Sequence, residues 1–235
     1  MTNTANNRTQ EWYDARADHL AEFLTERRKR TLDEALAERT RYVTLLAENT
    51  FHPHNASALM RHCDAFGIQE LHTVETLCKF SPSASIVRGT DKWIDVRRHA
   101  STAEAIAALR AEGYRIVATT PHRESCTPET FDVARGPFAL VFGTEHAGIS
   151  GEAMAAADEY LRIPMCGLVE SLNVSASAAI LLYMLSQRVR TQVAGWRLPP
   201  LEAAALRLRW MRAAVNDADD ILARRFGEEQ TTTAQ

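Results

Sequence analysis

A chain of 235 residues, 46% hydrophobic and 24% charged, suffices for one α/β core with helical extensions. No apolar run reaches the roughly 20 residues that cross a bilayer, and the polar stretch 1–7 lacks a signal-peptide core, so a cytoplasmic protein is expected, with no membrane partner. A net charge of −3 does not announce a nucleic-acid partner, and Cys63, Cys78, Cys126 and Cys166, with no CxxC pair, imply reduced thiols and no metal.

Residues 1–40 read as polar helix with little core signal, carrying the basic run Arg27-Arg28-Lys29-Arg30. From 41 to 190 strand-like and helix-like segments alternate, the pattern of a parallel sheet covered by helices. The first strand is expected at 42–46, followed by a helix over 55–66 that stops at Gly67, a left-handed cap. Short strands follow at 71–74 and 93–96. Ser101 with Glu104 forms a capping box for a helix closing at Gly113. The apolar runs 115–120 and 138–143 have the length of buried parallel strands, 161–165 is a short extended segment, and a helix spans 172–190. A C-terminal helical extension covers 191–226. Within it Leu201, Ala205, Leu208, Met211, Val215, Ala218 and Leu222 recur at helical spacing along 199–226. Residues 227–235 read as a disordered tail. Arginines 188, 190, 197, 207, 209 and 212 face one acid, Glu202. Such a cluster either lies solvated on a helix or neutralises phosphates, since counterion release needs local rather than net charge.

Three segments beside turns at strand ends carry the candidate chemistry, because open α/β sheets bind ligands there. They are Asn49 to Arg61, with Asn55 and Arg61 nearly two helical turns apart; Phe142 to Ile149, a strand running into a glycine turn; and Ile163 to Ser175, a strand leading through a glycine loop into a helix of small residues. Each has an ordinary structural reading. A glycine turn is common punctuation, Ser171 and Asn173 suit helix caps, Arg61 suits a surface ion pair, and His52 and His54 flank a proline as turn residues. No GxGxxG, Walker loop, HExxH or Ser-His-Asp order is present.

In this order and spacing the segments resemble the SPOUT superfamily of RNA methyltransferases, most closely its TrmH branch. The resemblance runs from Thr31 to Arg190 and rests on His-Asn-x-Ser-Ala-x-x-Arg-x-Cys-Asp-Ala-x-Gly (54–67), Phe-Gly-x-Glu (142–145) and Ile-Pro-Met-x-Gly-x-Val-x-Ser-Leu-Asn-Val-Ser (163–175). It implies an α/β SPOUT fold with a C-terminal deep trefoil knot, a homodimer, and transfer of a methyl group from S-adenosyl-L-methionine to a ribose 2′-hydroxyl of tRNA, at guanosine 18 of the D-loop. Carried over by position, it assigns cofactor contacts to Thr119, Gly143, Ile163, Met165 and Leu172. Arg61 becomes the group that takes the ribose proton, positioned by Asn55, while Glu145, Ser171 and Asn173 shape the transfer site. The family's N-terminal arginine falls on Thr31 with Arg30 beside it, and Arg188 and Arg190 fall one place from the expected helix arginines. Arg30, Arg188, Arg190, Arg207, Arg209 and Arg212 are the expected RNA contacts. The other readings are a ribosomal RNA 2′-O-methyltransferase and a non-catalytic RNA-binding dimer.

Overall fold

The structure, a computed structural model, describes residues 8–121, 123, 125–144 and 147–227; the tail expected to be disordered lies outside them apart from Gly227. The chain divides into two compact units, Thr40–Trp196 and a second built from both ends, Met1–Arg39 with Arg197–Gln235.

The central unit is a six-stranded sheet of β1 (Val43–Glu48), β2 (Glu70–Val74), β3 (Asp95–His99), β4 (Arg115–Thr119), β5 (Phe138–Phe142) and β6 (Glu159–Leu161), in the order β3-β2-β1-β5-β4-β6. Every neighbouring pair is parallel. Strands β1, β2 and β5 are buried at each residue; β5 reads as an unbroken apolar run, whereas β2 buries the polar Glu70, His72 and Thr73 beside Leu71 and Val74. On one face Leu45, Leu71 and Leu140 join a core with Leu59 and Met60 of α3 (Pro53–Ala65) and Leu181 and Leu185 of α7 (Val174–Gln192). On the other, Leu46, Ile116 and Val141 meet Ile106 and Leu109 of α5 (Thr102–Ala111) and Ala153 of α6 (Gly151–Ala156). Transfer of each such leucine from water contributes about 1.5–3 kcal/mol.

The expected stop and start signals operate. Gly67 takes φ 73° after α3, and Ser101 Oγ accepts from the Glu104 amide at 3.1 Å while Glu104 Oε2 accepts from the Ala100 amide at 2.9 Å. Several boundaries differ, among them the third strand, expected at 93–96 and observed at Asp95–His99. Strand β6 ends at Leu161, so 162–173 is a loop, and α7 begins at Val174 rather than 172 because Asn173 accepts the Ser175 amide as its cap. The short helix α4 (Ala84–Val87) had no periodic signal. At the β2–β3 edge, His72 Nδ1 stacks within 3.0 Å of His99 Nε2, and its Nε2 lies 2.6 Å from Glu70 Oε1 without hydrogen-bond alignment. Burial, then Arg97, pushes the His72 imidazole down to about 4, so it stays neutral near pH 7.

The second unit packs α1 (Gln10–Ala21), α2 (Glu26–Ala37) and α9 (Ala218–Phe226) around α8 (Pro200–Ala214). Thr9 and Thr25 cap the first two helices through their hydroxyls. The single helix expected over 199–226 breaks after Ala214. Val215 is extended and Asp217 takes φ 54°, a conformation that short polar side chains tolerate. Leu208, Met211, Ala218 and Leu222 of the predicted stripe are buried, whereas Leu201 is half exposed. The N-terminal segment does hold core residues, Ala17, Leu20 and Leu32. The Arg16 guanidinium lies over the rings of Trp12 and Phe226, 3.8 and 4.3 Å from their centroids, burying a charge on aromatic faces. Among the described residues, no helix is long and apolar enough to cross a membrane.

Candidate active site

Because all six strands are parallel, their carboxyl ends share one edge, and the loops leaving β4, β5 and β6 converge there. They enclose a cavity of about 440 Å³ completed by Glu170–Val174 and by Ser177 and Leu181 of α7. Thr119, Gly143, Ile163, Met165 and Leu172, the five positions assigned to a cofactor, all line it, as do Ser171 and Asn173.

Main chain forms one wall. Thr144 and Gly148 exchange backbone hydrogen bonds of 2.9 and 3.1 Å, folding the turn back on itself. A Cβ placed on Gly143 would overlap the Gly148 carbonyl group and the Ile149 nitrogen, so the pocket needs glycine here. Gly167, the glycine of the third motif, does not line the cavity and has open space around it. Thr119 Oγ1 donates to the Val141 carbonyl at 2.7 Å, leaving its methyl and main chain as the cavity surface. Phe142 and Ile149, the ends of the second segment, add apolar lining, and Met154 and Leu181 supply more that no motif had singled out; the signal of the last two was only generic hydrophobicity. Glu145 lies outside the described residues.

The catalytic candidates on α3 meet the cavity loop through one contact. Asn173 Nδ2 donates to Oδ1 of buried Asn55 at 3.3 Å, while Asn173 Oδ1 caps α7. His62, beside Arg61, is held below its usual pKa by burial and then by the Arg61 charge, partly offset by its hydrogen bond to the Ser175 backbone. Arg61 does not line the cavity. It is exposed on the same helix, and Nη1 donates to the Ile86 carbonyl at 3.1 Å.

The six expected RNA contacts are not one surface of unengaged cations. Arg188 Nη1 donates to the Pro128 and Phe131 carbonyls at 2.6 and 2.7 Å, and Arg190 Nη2 to the Phe66 carbonyl at 2.9 Å. Arg207 bonds Asp18 and Asp33 at 2.6 and 3.1 Å; burial alone would lower its pKa, but those two carboxylates raise it. Arg212 lies 3.5 Å from Asp219. Arg209 is exposed, and Arg30 is exposed 3.8 Å from Glu34. Among the described residues, no three His, Cys, Asp or Glu side chains form a group able to hold a metal ion.

A backbone-walled pocket on the carboxyl edge of a parallel sheet, tied by paired asparagines to a helix bearing an exposed arginine, defines an α/β protein that binds a small organic ligand beside a polar reaction surface. The pattern of the SpoU rRNA Methylase family matches residues 42–183, and the chain belongs to that family. A tRNA (guanosine(18)-2′-O)-methyltransferase of Borreliella burgdorferi is 33% identical over 198 residues, 84% of this chain and 90% of that one. The Thermus thermophilus enzyme of the same name is 37% identical over 178 residues, 76% and 91% of the two chains. Among solved structures, the A. aeolicus TrmH/SpoU tRNA modifying enzyme superposes with a TM-score of 0.71 at 29% identity, covering 81% of this chain and 98% of that one. An AdoMet-bound rRNA methyltransferase from Sinorhizobium meliloti gives 0.56 at 26% identity, over 67% and 59%.

Proposed function

We propose that this protein transfers a methyl group from S-adenosylmethionine to the 2′-hydroxyl of guanosine 18 in tRNA, in the cytoplasm. The observation that carries the reading is the convergence, in one cavity of about 440 Å³, of the loops that hold the second and third family motifs. The volume is within the usual range of small-molecule sites. A purine and a thioether chain suit walls of main chain, Ile149, Ile163, Leu172 and Leu181. Bound there, S-adenosylmethionine supplies an activated methyl group on its sulfonium, which needs no metal.

The chain's own residues do the rest. The Gly143–Gly148 turn approaches the ligand closely, and the apolar lining excludes water. Asn173 and Asn55 tie the cavity loop to α3, so the reacting hydroxyl is presented at a fixed distance, and such positioning accounts for much of a displacement reaction's acceleration. A guanidinium has five N–H donors, more than the bond to Ile86 engages, and no lone pair for a proton. Arg61 therefore holds an RNA phosphate with its fork and takes the ribose proton only as the neutral guanidine, after releasing one of its own protons to solvent. Ser171 lies at the cavity mouth, and we assign Glu145 to the same site. For RNA docking the exposed Arg30 and Arg209 are favoured, with Arg188, Arg190, Arg207 and Arg212 bracing their own elements.

Two features support the knot and the dimer implied by the family. The Thr120 amide donates to the Leu161 carbonyl and the Cys126 amide to the Tyr160 carbonyl, each at 3.0 Å, while the Arg162 amide donates back to Cys126. Thr120 and Cys126 therefore both bond to the end of β6, an arrangement compatible with threading of the chain beyond it. Leu168, Val169 and Tyr183 of the same unit are exposed, an apolar set that a second subunit would cover.

The test is methyl transfer from labelled S-adenosylmethionine to a tRNA transcript, with the modified nucleotide mapped. Label at guanosine 18, lost when that nucleotide is replaced, is the expected result. Label on ribosomal RNA alone would move the substrate, and no label on either would leave a binding protein. Light scattering on the same preparation should give twice the 26.2 kDa chain mass, and a monomer would contradict the dimer.

A further inference from the structure

Glu48 closes β1 at the point where the strand order reverses, and its side chain is 2% exposed. A carboxylate so placed must be satisfied by hydrogen bonds, and three converge on it. Thr102 Oγ1 donates to Oε1 at 2.6 Å, Ser150 Oγ to Oε1 at 2.7 Å, and the Ser150 amide to Oε2 at 2.9 Å. Thr102 opens α5, away from the cavity. Ser150 caps α6 through the Ala153 amide and directly follows Gly148 and Ile149, which line the cavity.

We infer that Glu48 is a positioning residue for the cofactor pocket, fixing the main-chain wall at Gly148 and Ile149 by gripping its downstream end at Ser150. The turn is anchored upstream by continuity with β5. Its own Thr144–Gly148 bonds shape it internally but do not locate it against the sheet. The doubly bonded Ser150 supplies that location, and the wall has no room to adjust at Gly143. The role is geometric rather than electrostatic. A glutamine can accept the Ser150 amide with its oxygen and give both amide hydrogens to the two hydroxyls, which reverse their roles.

This inference rests on the cavity being the S-adenosylmethionine site, so calorimetric titration of the full-length wild type with that ligand comes first. Ser150→Ala should raise its Kd roughly five- to tenfold at temperatures where the protein is fully folded. Thr102→Val, which removes a bond to the same carboxylate on the side away from the pocket, should lower the melting temperature comparably and shift Kd less than about twofold. Glu48→Gln should recover most of the affinity lost in Glu48→Ala. If Glu48→Ala does not fold, the contrast between Ser150→Ala and Thr102→Val decides alone. Equal Kd values for Ser150→Ala and wild type, or equal weakening by Ser150→Ala and Thr102→Val, would overturn the inference and leave the cavity assignment standing. A wild type that bound no S-adenosylmethionine would overturn both.

Discussion

Arg61→Ala should lower the single-turnover rate of methyl transfer by roughly 10²- to 10⁴-fold, the usual worth of a positioned proton-transfer group. Affinity for S-adenosylmethionine should stay near wild type, because Arg61 does not line the cavity. Arg61→Lys should fail almost as badly, since an ammonium lacks the planar fork that engages phosphate and hydroxyl together. If the side chain serves only to hold α4 through the Ile86 carbonyl, the loss is one exposed hydrogen bond, about 1 kcal/mol of stability, with the rate per folded molecule unchanged. Single-turnover kinetics on bound tRNA, beside a melting curve, separates these outcomes. A folded alanine variant at wild-type rate would remove Arg61 from the chemistry.

An equally large effect is expected at Gly143, on binding rather than catalysis. Its backbone is one that any residue can adopt, so Gly143→Ala acts through the added methyl alone, which must displace the Gly148 carbonyl and Ile149. Moving main chain is not a rotamer change, and S-adenosylmethionine affinity should fall by at least about 100-fold, or 2.7 kcal/mol. Gly167→Ala is the control, since a Cβ there meets nothing within 4 Å and its affinity should be unchanged. Calorimetry in chelator tests both, along with metal-independent binding. Unimpaired binding by Gly143→Ala would mean that the turn is pliable and does not shape the site.

The apolar strands and the capped helix at Ser101 were legible because each depends on local pattern, an apolar run or a four-residue cap, whereas the pocket positions came only from the family resemblance. The five positions that the resemblance assigns to the cofactor, up to 53 residues apart from Thr119 to Leu172, line one cavity because parallel strands bring their loops to one edge. What escaped is non-local. Glu48 was not singled out, since its partners lie 54 and 102 positions away. Arg188 and Arg207 looked like docking cations until the fold supplied the Pro128 and Phe131 carbonyls to one and Asp18 and Asp33 to the other. The core role of α1 was hidden because it buries small and amphipathic residues such as Ala17 and Arg16, whose pattern is weak.

The helical unit takes α1 and α2 from the start of the chain and α8 and α9 from its end, with the sheet unit between. Once residue 196 has been made, the whole sequence of the sheet unit exists but only half of that of the bundle. Joining ends more than 150 residues apart in an open chain would cost roughly 4–5 kcal/mol of loop entropy. The sheet unit removes much of that cost as it forms, because its own first and last residues meet: Thr40 Oγ1 donates to the Trp196 carbonyl at 2.5 Å. The bundle can therefore close only once α8 and α9 have been made, and until then Leu20 and Leu32 lack the other half of their unit.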